Sequence, residues 1–341
     1  METSQLSIVI ASHNRRELLR RCLGSLLAQT ADPGSFEVIV ADDGSGDGTA
    51  AMVAEFEAPF ALRCLRLEKG GKSAAMNAGI EASRGRACLF VDDDIVAEPE
   101  LVAGHLEAHE RGPVLGIGAI VELPPRARDW YARAFAQGWA EHNAELEHRR
   151  AHWTDTYGAN FSAPTERLRE IGGFDTGLAV GEDFEIGYRL WRAGCAPTFL
   201  PAAVAVHDDQ KRYGKMLADA RRQGAAHVEL ARSLEGTRDD LLDWSQSAGE
   251  RELALRRICL RLGIPARPLA WLGRFLPGEG RKMLWLHFVR RLAFWRGAME
   301  AATAAEWTAL TARPSRRAET ATSPLALLLP TAVELLEMAP L

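Results

Sequence analysis

The chain has 341 residues, 47% apolar and 26% charged, which is enough to bury a substantial core. A net charge of -5 gives no reason to expect a nucleic-acid partner, although residues 251–296 carry eleven Arg or Lys against two acids, a local +9 that leaves the rest near -14. Five scattered cysteines without CxxC spacing speak against a disulfide framework or a zinc site, and fit a reducing compartment.

In chain order, Leu6 to Ala11 reads as a buried strand, and Asn14 with Glu17 three residues on reads as the capped start of a helix. Leu18, Leu19, Cys22, Leu23, Leu26 and Leu27 form that helix's apolar stripe. Strands are expected at Val38 to Ala41, Leu62 to Leu67 and Ala87 to Val91, with a helix from about Lys72 to Ala82 between the last two. A helix near Pro99 to Glu110, a strand near Val114 to Val121 and a long helix from Asp129 to about Arg149 follow. After a polar-aromatic stretch, Trp153 to Phe161, come a helix beyond Glu182 and an apolar run, Ala202 to Val206. Past about Gly236 the pattern is helical only, with an Ala/Thr/Ser/Pro-rich linker near 312–324. No signal-peptide core precedes Leu6, and no apolar run reaches ~20 residues, so no transmembrane helix is expected. The nearest candidate, Leu325 to Val333, is broken by Pro330. Strand-helix alternation of this kind predicts a mostly parallel, doubly wound α/β sheet, whose ligands sit beyond the carboxyl ends of the strands.

The acidic clusters fall at those ends. Asp92-Asp93-Asp94 closes the apolar strand Cys88 to Val91. Successive carboxylates raise one another's pKa unless a cation sits among them, and a hard divalent ion shared with phosphate oxygens answers that need. A solvated acidic turn is the competing reading. Asp42-Asp43-Gly44-Ser45 marks a tight turn in which Asp47 or Thr49 can cap the next helix, and its carboxylates could also meet a base or ribose. Lys69-Gly70-Gly71-Lys72-Ser73 allows backbone and lysine to approach phosphate, although it is not a Walker A sequence. Gly181-Glu182-Asp183 opens an amphipathic helix, so Asp183 is either a helix-dipole residue or a general base. His207, followed by Asp208-Asp209, is a candidate metal ligand or an ordinary histidine.

Taken together, these segments resemble the family-2 glycosyltransferases of the GT-A fold over roughly residues 5–225. The stretch from Ser7 to Arg15 looks like the opening strand and nucleotide-pocket turn, and Ala41 to Ser45 like the family's acidic turn. Lys72 to Ile80 is similar to the donor-side helix, and Asp92-x-Asp94 to the DxD motif. The resemblance implies nucleotide-sugar contacts from Ala11, His13, Asn14, Arg15, Asp43, Lys72, Asn77, Asp92 and Asp93, and metal ligation by Asp94, Asp92 and His207. Gly158 to Phe161 and Gly172 to Asp175 look like acceptor-side segments, with Asn160 and Trp191 as the acceptor-side residues. Asp183, beside Glu182, matches the base of the ED motif. Met76 stands where many members carry arginine, so Lys72 is expected to take over a phosphate contact.

By that likeness the chain is an inverting, metal-dependent glycosyltransferase using Mg²⁺ or Mn²⁺. The expected donor is a nucleotide-diphosphate sugar with UDP as its nucleotide, and the acceptor is a saccharide, lipid-linked or small. A sugar nucleotidylyltransferase and a catalytically silent nucleotide-sugar-binding protein are the alternatives. The expected organisation is a GT-A catalytic domain over 1–236 (nucleotide-sugar half 1–97, acceptor half 98–236) and a C-terminal helical region over 237–341. In that region Arg267 to Arg296 interleaves arginines with Trp271, Leu272, Phe275, Leu276, Leu284, Trp285, Phe288, Leu292, Phe294 and Trp295. Such a helix either lies on a membrane, here the inner face reached from the cytoplasm, or packs on the core or a second subunit as a homodimer.

Overall fold

A computed structural model of the chain describes residues 5–123, 130–208, 213–234, 236–237, 241 and 250–312. The expected linker near 312–324, the run Leu325 to Val333, Asp129 and Asp209 lie outside them, apart from residue 312. The chain divides into two compact units, Met1–Arg126 with Phe135–Gln210, and Ala127–Ala134 with Lys211–Leu341, a division ahead of the expected 236/237 boundary.

The first unit is built on eight strands, of which β1, β2 and β4 are short and almost wholly buried. These are β1 (Leu6–Ser12), β2 (Phe36–Asp42), β3 (Ala61–Arg66), β4 (Ala87–Val91), β5 (Ile95–Ala97), β6 (Val114–Glu122), β7 (Asn160–Pro164) and β8 (Ala196–His207). They form one sheet in the order β3-β2-β1-β4-β7-β6-β8-β5. The β3-β2-β1-β4 part is parallel, β7 runs antiparallel to β4 and β6, β8 is parallel to β6, and β5 pairs antiparallel with β8. Alternation along β1 splits the core between the two faces. Leu6, Ile8 and Ile10 pack with Leu19 and Leu23 of α1 (Arg16–Leu26), while Val9 faces Met76 and Ile80 of α3 (Lys72–Ala82).

The remaining described helices of this unit are α2 (Thr49–Ala54), α4 (Leu101–Glu110), most of α5 (Trp130–His148), α6 (Thr165–Glu170) and α7 (Glu182–Arg192). The mostly parallel α/β sheet flanked by helices is therefore the one expected. Two strands were not. β5 is only three residues long and β7 starts at the end of the polar-aromatic stretch and runs past it; both owe their conformation to distant partners, Ala205 to His207 and Ala87 to Val91. The cap of α1 also differs. Asn14 adopts φ 54° and accepts from Gly46 N–H, and the Asp47 carboxylate receives the Arg16 N–H instead.

In the second unit, α8 (Tyr213–Ser233) and the helix Glu279–Ala301 touch backbone to backbone. A Cβ on Gly224 would stand 1.9 Å from Phe294 O, and one on Gly297 1.8 Å from Arg221 O. With α9 (Glu250–Arg261), α10 (Ala266–Leu272), α11 (Glu279–Ala301) and α12 (Ala304–Ala312), the described part past residue 250 is helical as expected, apart from a 3₁₀ turn at Gly273–Phe275. No described helix is long and apolar enough to cross a membrane.

Close packing also sets where α3 lies, and with it Lys72 at its first position. A Cβ on Gly79 would come 2.3 Å from Val9 Cγ1. We therefore expect Gly79→Ala to destabilise the protein by about 1–3 kcal/mol through overpacking. Thermal unfolding checks this, and an unchanged melting temperature would mean that α3 shifts freely on the sheet.

Candidate active site

Several strands end at one edge: β1 at Ser12, β2 at Asp42, β4 just before Asp92, β6 at Glu122 and β8 at His207. Register joins the last two, since Glu122 is the parallel partner of His207, and Ile95 is the antiparallel partner of the same histidine. β5 thus brings Asp94, the residue before it, against His207. The ligand-capable atoms of Asp92, Asp94 and His207 all lie within 4.8 Å of one another.

Each carboxylate of the triplet meets a cation, and Arg15 serves two of them. Lys72 Nζ lies 2.7 Å from Asp92 Oδ1. Asp93 is buried, accepts from Ser12 Oγ at 2.7 Å and pairs with Arg15 Nη1 at 3.0 Å. Burial lifts Asp93 to about 6, against the pull of Arg15 and Ser12. Asp94 receives Arg15 Nη2 at 2.7 Å and stands 3.3 Å from His207 Nε2. Burial opposes its charge, yet His207 and Arg15 outweigh burial and hold Asp94 well below the ordinary carboxylate range. His207 is the mirror case: burial disfavours its charge, but Asp94 and, 3.5 Å from Nδ1, Glu122 raise it to about 10. Asp94 Oδ1 and His207 Nδ1 are nevertheless buried without a hydrogen bond.

The turns after β1 and β2 are knitted to each other. His13 donates from Nδ1 to the Asp43 carbonyl at 2.7 Å, which leaves Nε2 to accept from Asn14 Nδ2 at 3.0 Å. Asn14 N–H donates to Ser45 Oγ at 2.9 Å. The Asp43 carboxylate accepts from Gly70 N–H at 2.6 Å and Gly71 N–H at 3.0 Å. This carboxylate folds the Lys69-to-Lys72 loop over the β2 turn, and takes two amides from the segment expected to approach phosphate. Gly44, at φ 71°, permits the approach, because a Cβ there would lie 3.1 Å from Lys69 N. Ala11 is half-buried and paired with Ala41.

Asp183 opens α7 on the far side of Lys72. Its carboxylate accepts from Gly158 N–H at 3.3 Å and from its neighbour Phe184 N–H at 2.9 Å. Lys72 Nζ is 3.6 Å from Glu182 Oε1, so one ammonium spans Asp92 and the Glu182-Asp183 pair. A Cβ on Gly158 would stand 3.2 Å from Lys72 Nζ and 4.0 Å from Asp183 Oδ2, which places the two groups around one small gap. Burial, with the like charge of Glu182, pushes Asp183 up to about 7 despite Lys72 and its two N–H donors. Lys72 itself is penalised by burial, but Asp92, Glu182 and Asp183 raise it overall.

Three expected site residues are not brought to this gap by the contacts they make. Asn77 spends its amide on the chain, donating to Phe174 O at 2.9 Å and accepting from Phe174 N–H at 2.7 Å. Asn160 is fully buried; it donates to Ala119 O at 3.0 Å and Ala203 O at 2.8 Å, and accepts from His105 Nε2 at 2.9 Å. Trp191 is 41% exposed, eight residues beyond Asp183 and so ~12 Å along the axis of α7, near His152 and Tyr188. The residues missed by sequence reasoning are Ser12, Glu122, and the aromatics that flank Asp183's two donors, Tyr157 and Phe184, whose centroids are 6.3 Å apart. Glu122 had a signal: it is a lone acid closing an apolar strand.

Residues 7–167 match the family model for glycosyl transferase family 2, and residues 88–305 that for glycosyl transferase family group 2. The chain belongs to the family-2 glycosyltransferases. It is 32% identical over 224 residues to the validoxylamine A glucosyltransferase of Streptomyces hygroscopicus subsp. limoneus, covering 57% of this chain and 49% of that one. Over 105 residues it is 42% identical to the uncharacterized glycosyltransferase YfnE of Bacillus subtilis, 30% of this chain and 26% of that one. The chain therefore spans half or less of the length of these curated relatives. A mannosyltransferase of Pyrobaculum calidifontis, solved in complex with GDP-Man and Mn²⁺, superimposes with a TM-score of 0.58 at 17% identity, over 87% of this chain and 88% of that one. That likeness shows the expected GT-A fold.

The placement of Asn160 has a measurable consequence. Asn160→Ala removes the amide that meets the Ala119 and Ala203 carbonyls and His105 Nε2, at ~1–3 kcal/mol for each group left stranded. We expect a lowered melting temperature and an unchanged acceptor KM in whatever protein remains folded. A raised KM at unchanged stability would return Asn160 to the acceptor side.

Proposed function

We propose that the chain transfers a sugar from a nucleotide-diphosphate sugar to an acceptor hydroxyl, with inversion, a divalent metal at Asp92, Asp94 and His207, and Asp183 as base. The observation that carries this reading is the span of Lys72 from Asp92 to the Glu182-Asp183 pair, which puts a metal-capable corner and a candidate base on either side of one cation.

The donor set suits Mg²⁺ or Mn²⁺: two carboxylates and an imidazole, with Asp94 Oδ1 buried and lacking a hydrogen bond. Glu122, 3.5 Å from His207 Nδ1, would orient the ring so that Nε2 faces the ion, as outer carboxylates do for metal-bound histidines. When bound, the ion would offset charge developing on the departing diphosphate, an effect of several kcal/mol. Lys72 supplies a second positive charge to the same oxygens, taking over the contact of the arginine that many members carry where this chain has Met76. Arg15 ties Asp93 inward, so the middle carboxylate serves the geometry of the triplet rather than the ion.

At the base, a carboxylate of ordinary pKa would bind an acceptor proton weakly near neutrality. Asp183, lifted to about 7, accepts it more readily. In one displacement the acceptor oxygen bonds to the anomeric carbon, its proton passes to Asp183, and the bond from that carbon to the diphosphate oxygen breaks. Tyr157 and Phe184 flank Asp183 on its two donor segments and would form the wall against which the acceptor lies.

Asp183 must be ionised to act, so kcat/KM is expected to fall about tenfold per unit as pH drops below about 7 and to level off above it. Asp183→Asn should lower turnover by ~10²–10⁴ while donor binding persists; equal losses of donor affinity and turnover would contradict the assignment. For Asp94→Ala, calorimetry with Mn²⁺ and with EDTA should show that metal-dependent donor binding has gone. A thermal-shift panel of UDP-, GDP- and dTDP-sugars identifies the nucleotide, with UDP expected; stabilisation by none of them would count against the donor class.

A further inference from the structure

The basic aromatic stretch of the second unit resolves into two parts. In α11, Phe288, Leu292, Phe294 and Trp295 are buried, and Trp285 donates its indole N–H to Leu269 O. These side chains are core. The preceding turn is different: Trp271 is 55% exposed, Leu272 47% and Phe275 64%. They occupy the end of α10 and the 3₁₀ turn Gly273–Phe275. The Trp271 and Phe275 rings meet edge to face at 4.8 Å, and the Arg274 guanidinium lies over both, 5.7 and 5.4 Å from their centroids.

We propose that this knob enters the headgroup region of an anionic lipid bilayer, as a peripheral contact. Three observations favour that occupant. Large apolar side chains clustered in the open mark an interaction site more often than chance exposure. Trp and Phe beside arginine suit the interface, where the ring is received by acyl chains and the guanidinium by phosphate. The charge is also complementary: Arg261, Arg267, Arg274 and Arg281 are exposed along this stretch, and the acid nearest in sequence, Glu279, is already paired with Arg133 and Lys282. A second copy docking on the same face would bring two such basic stretches together, and would be opposed by that charge.

The test uses the full chain and vesicles of phosphatidylcholine with or without phosphatidylglycerol. Wild-type protein should co-sediment with the anionic vesicles, more weakly with the neutral ones and more weakly in high salt. The double variant Trp271→Ser, Phe275→Ser should lose about tenfold or more of that partition. Both residues are exposed, so its melting temperature should match wild type. With brominated acyl chains, tryptophan fluorescence should be quenched, and Trp271→Phe, a milder change, should remove part of the quenching. The proposal fails if wild-type protein stays in the supernatant, or if neither variant alters binding. It fails too if sedimentation velocity shows a wild-type dimer that the double variant breaks without any lipid binding. None of these readouts depends on sugar transfer.

Discussion

Three carboxylates in succession cannot share one strand end unless positive charge is placed among them. Unit like charges 4 Å apart repel by about 4 kcal/mol at an effective dielectric near 20. Here the cations come from three distant segments: Lys72 from the start of α3, Arg15 from the turn after β1, and His207 from the end of β8. Much of the first unit can be understood as the frame that delivers them. The close contact of Gly79 with Val9 fixes α3, the β1–β2 register fixes the Arg15 turn, and the short β5 pairs with β8 to set Asp94 beside His207.

Many polar groups that look like ligands also hold this frame together. Asp43 closes the glycine loop, Asn77 clamps the segment at Phe174, and Asn160 spans β6 and β8 from inside the sheet. His105 and Ser162 extend that buried network, where burial holds His105 down to about 3 and so neutral. Arg189, paired with Glu185, reaches the carbonyls of Ile171 and Gly173 and so anchors α7, on which Asp183 rides. A buried polar group left unpaired is costly, so such residues constrain the backbone as tightly as a ligand site would. Their side-chain chemistry alone does not separate the two roles.

The second unit shows a related ambiguity for apolar residues. Trp and Phe spaced among arginines are compatible with a core helix and with a surface one, because periodicity reports a face but not what covers it. The glycine contacts of α8 and α11 decide the matter for Phe288 to Trp295, which they draw into a tight helix pair, and leave Trp271 and Phe275 beyond it.

The sequence by itself determined the alternation of strands and helices through β4, the span of α3 and β4, and the family to which the chain belongs. It also located the acidic clusters, Asp183 and His207, because local hydrophobic period and turn chemistry are written in neighbouring residues. Only the tertiary structure decided that β7 and β5 are strands, that Glu122 stands behind His207, that Asn14 yields its capping role to Asp47, and that Lys72 links Asp92 to Glu182. Each of those depends on a partner some twenty to more than a hundred residues away. Pairing over such separations is set by packing and register, which no local pattern encodes.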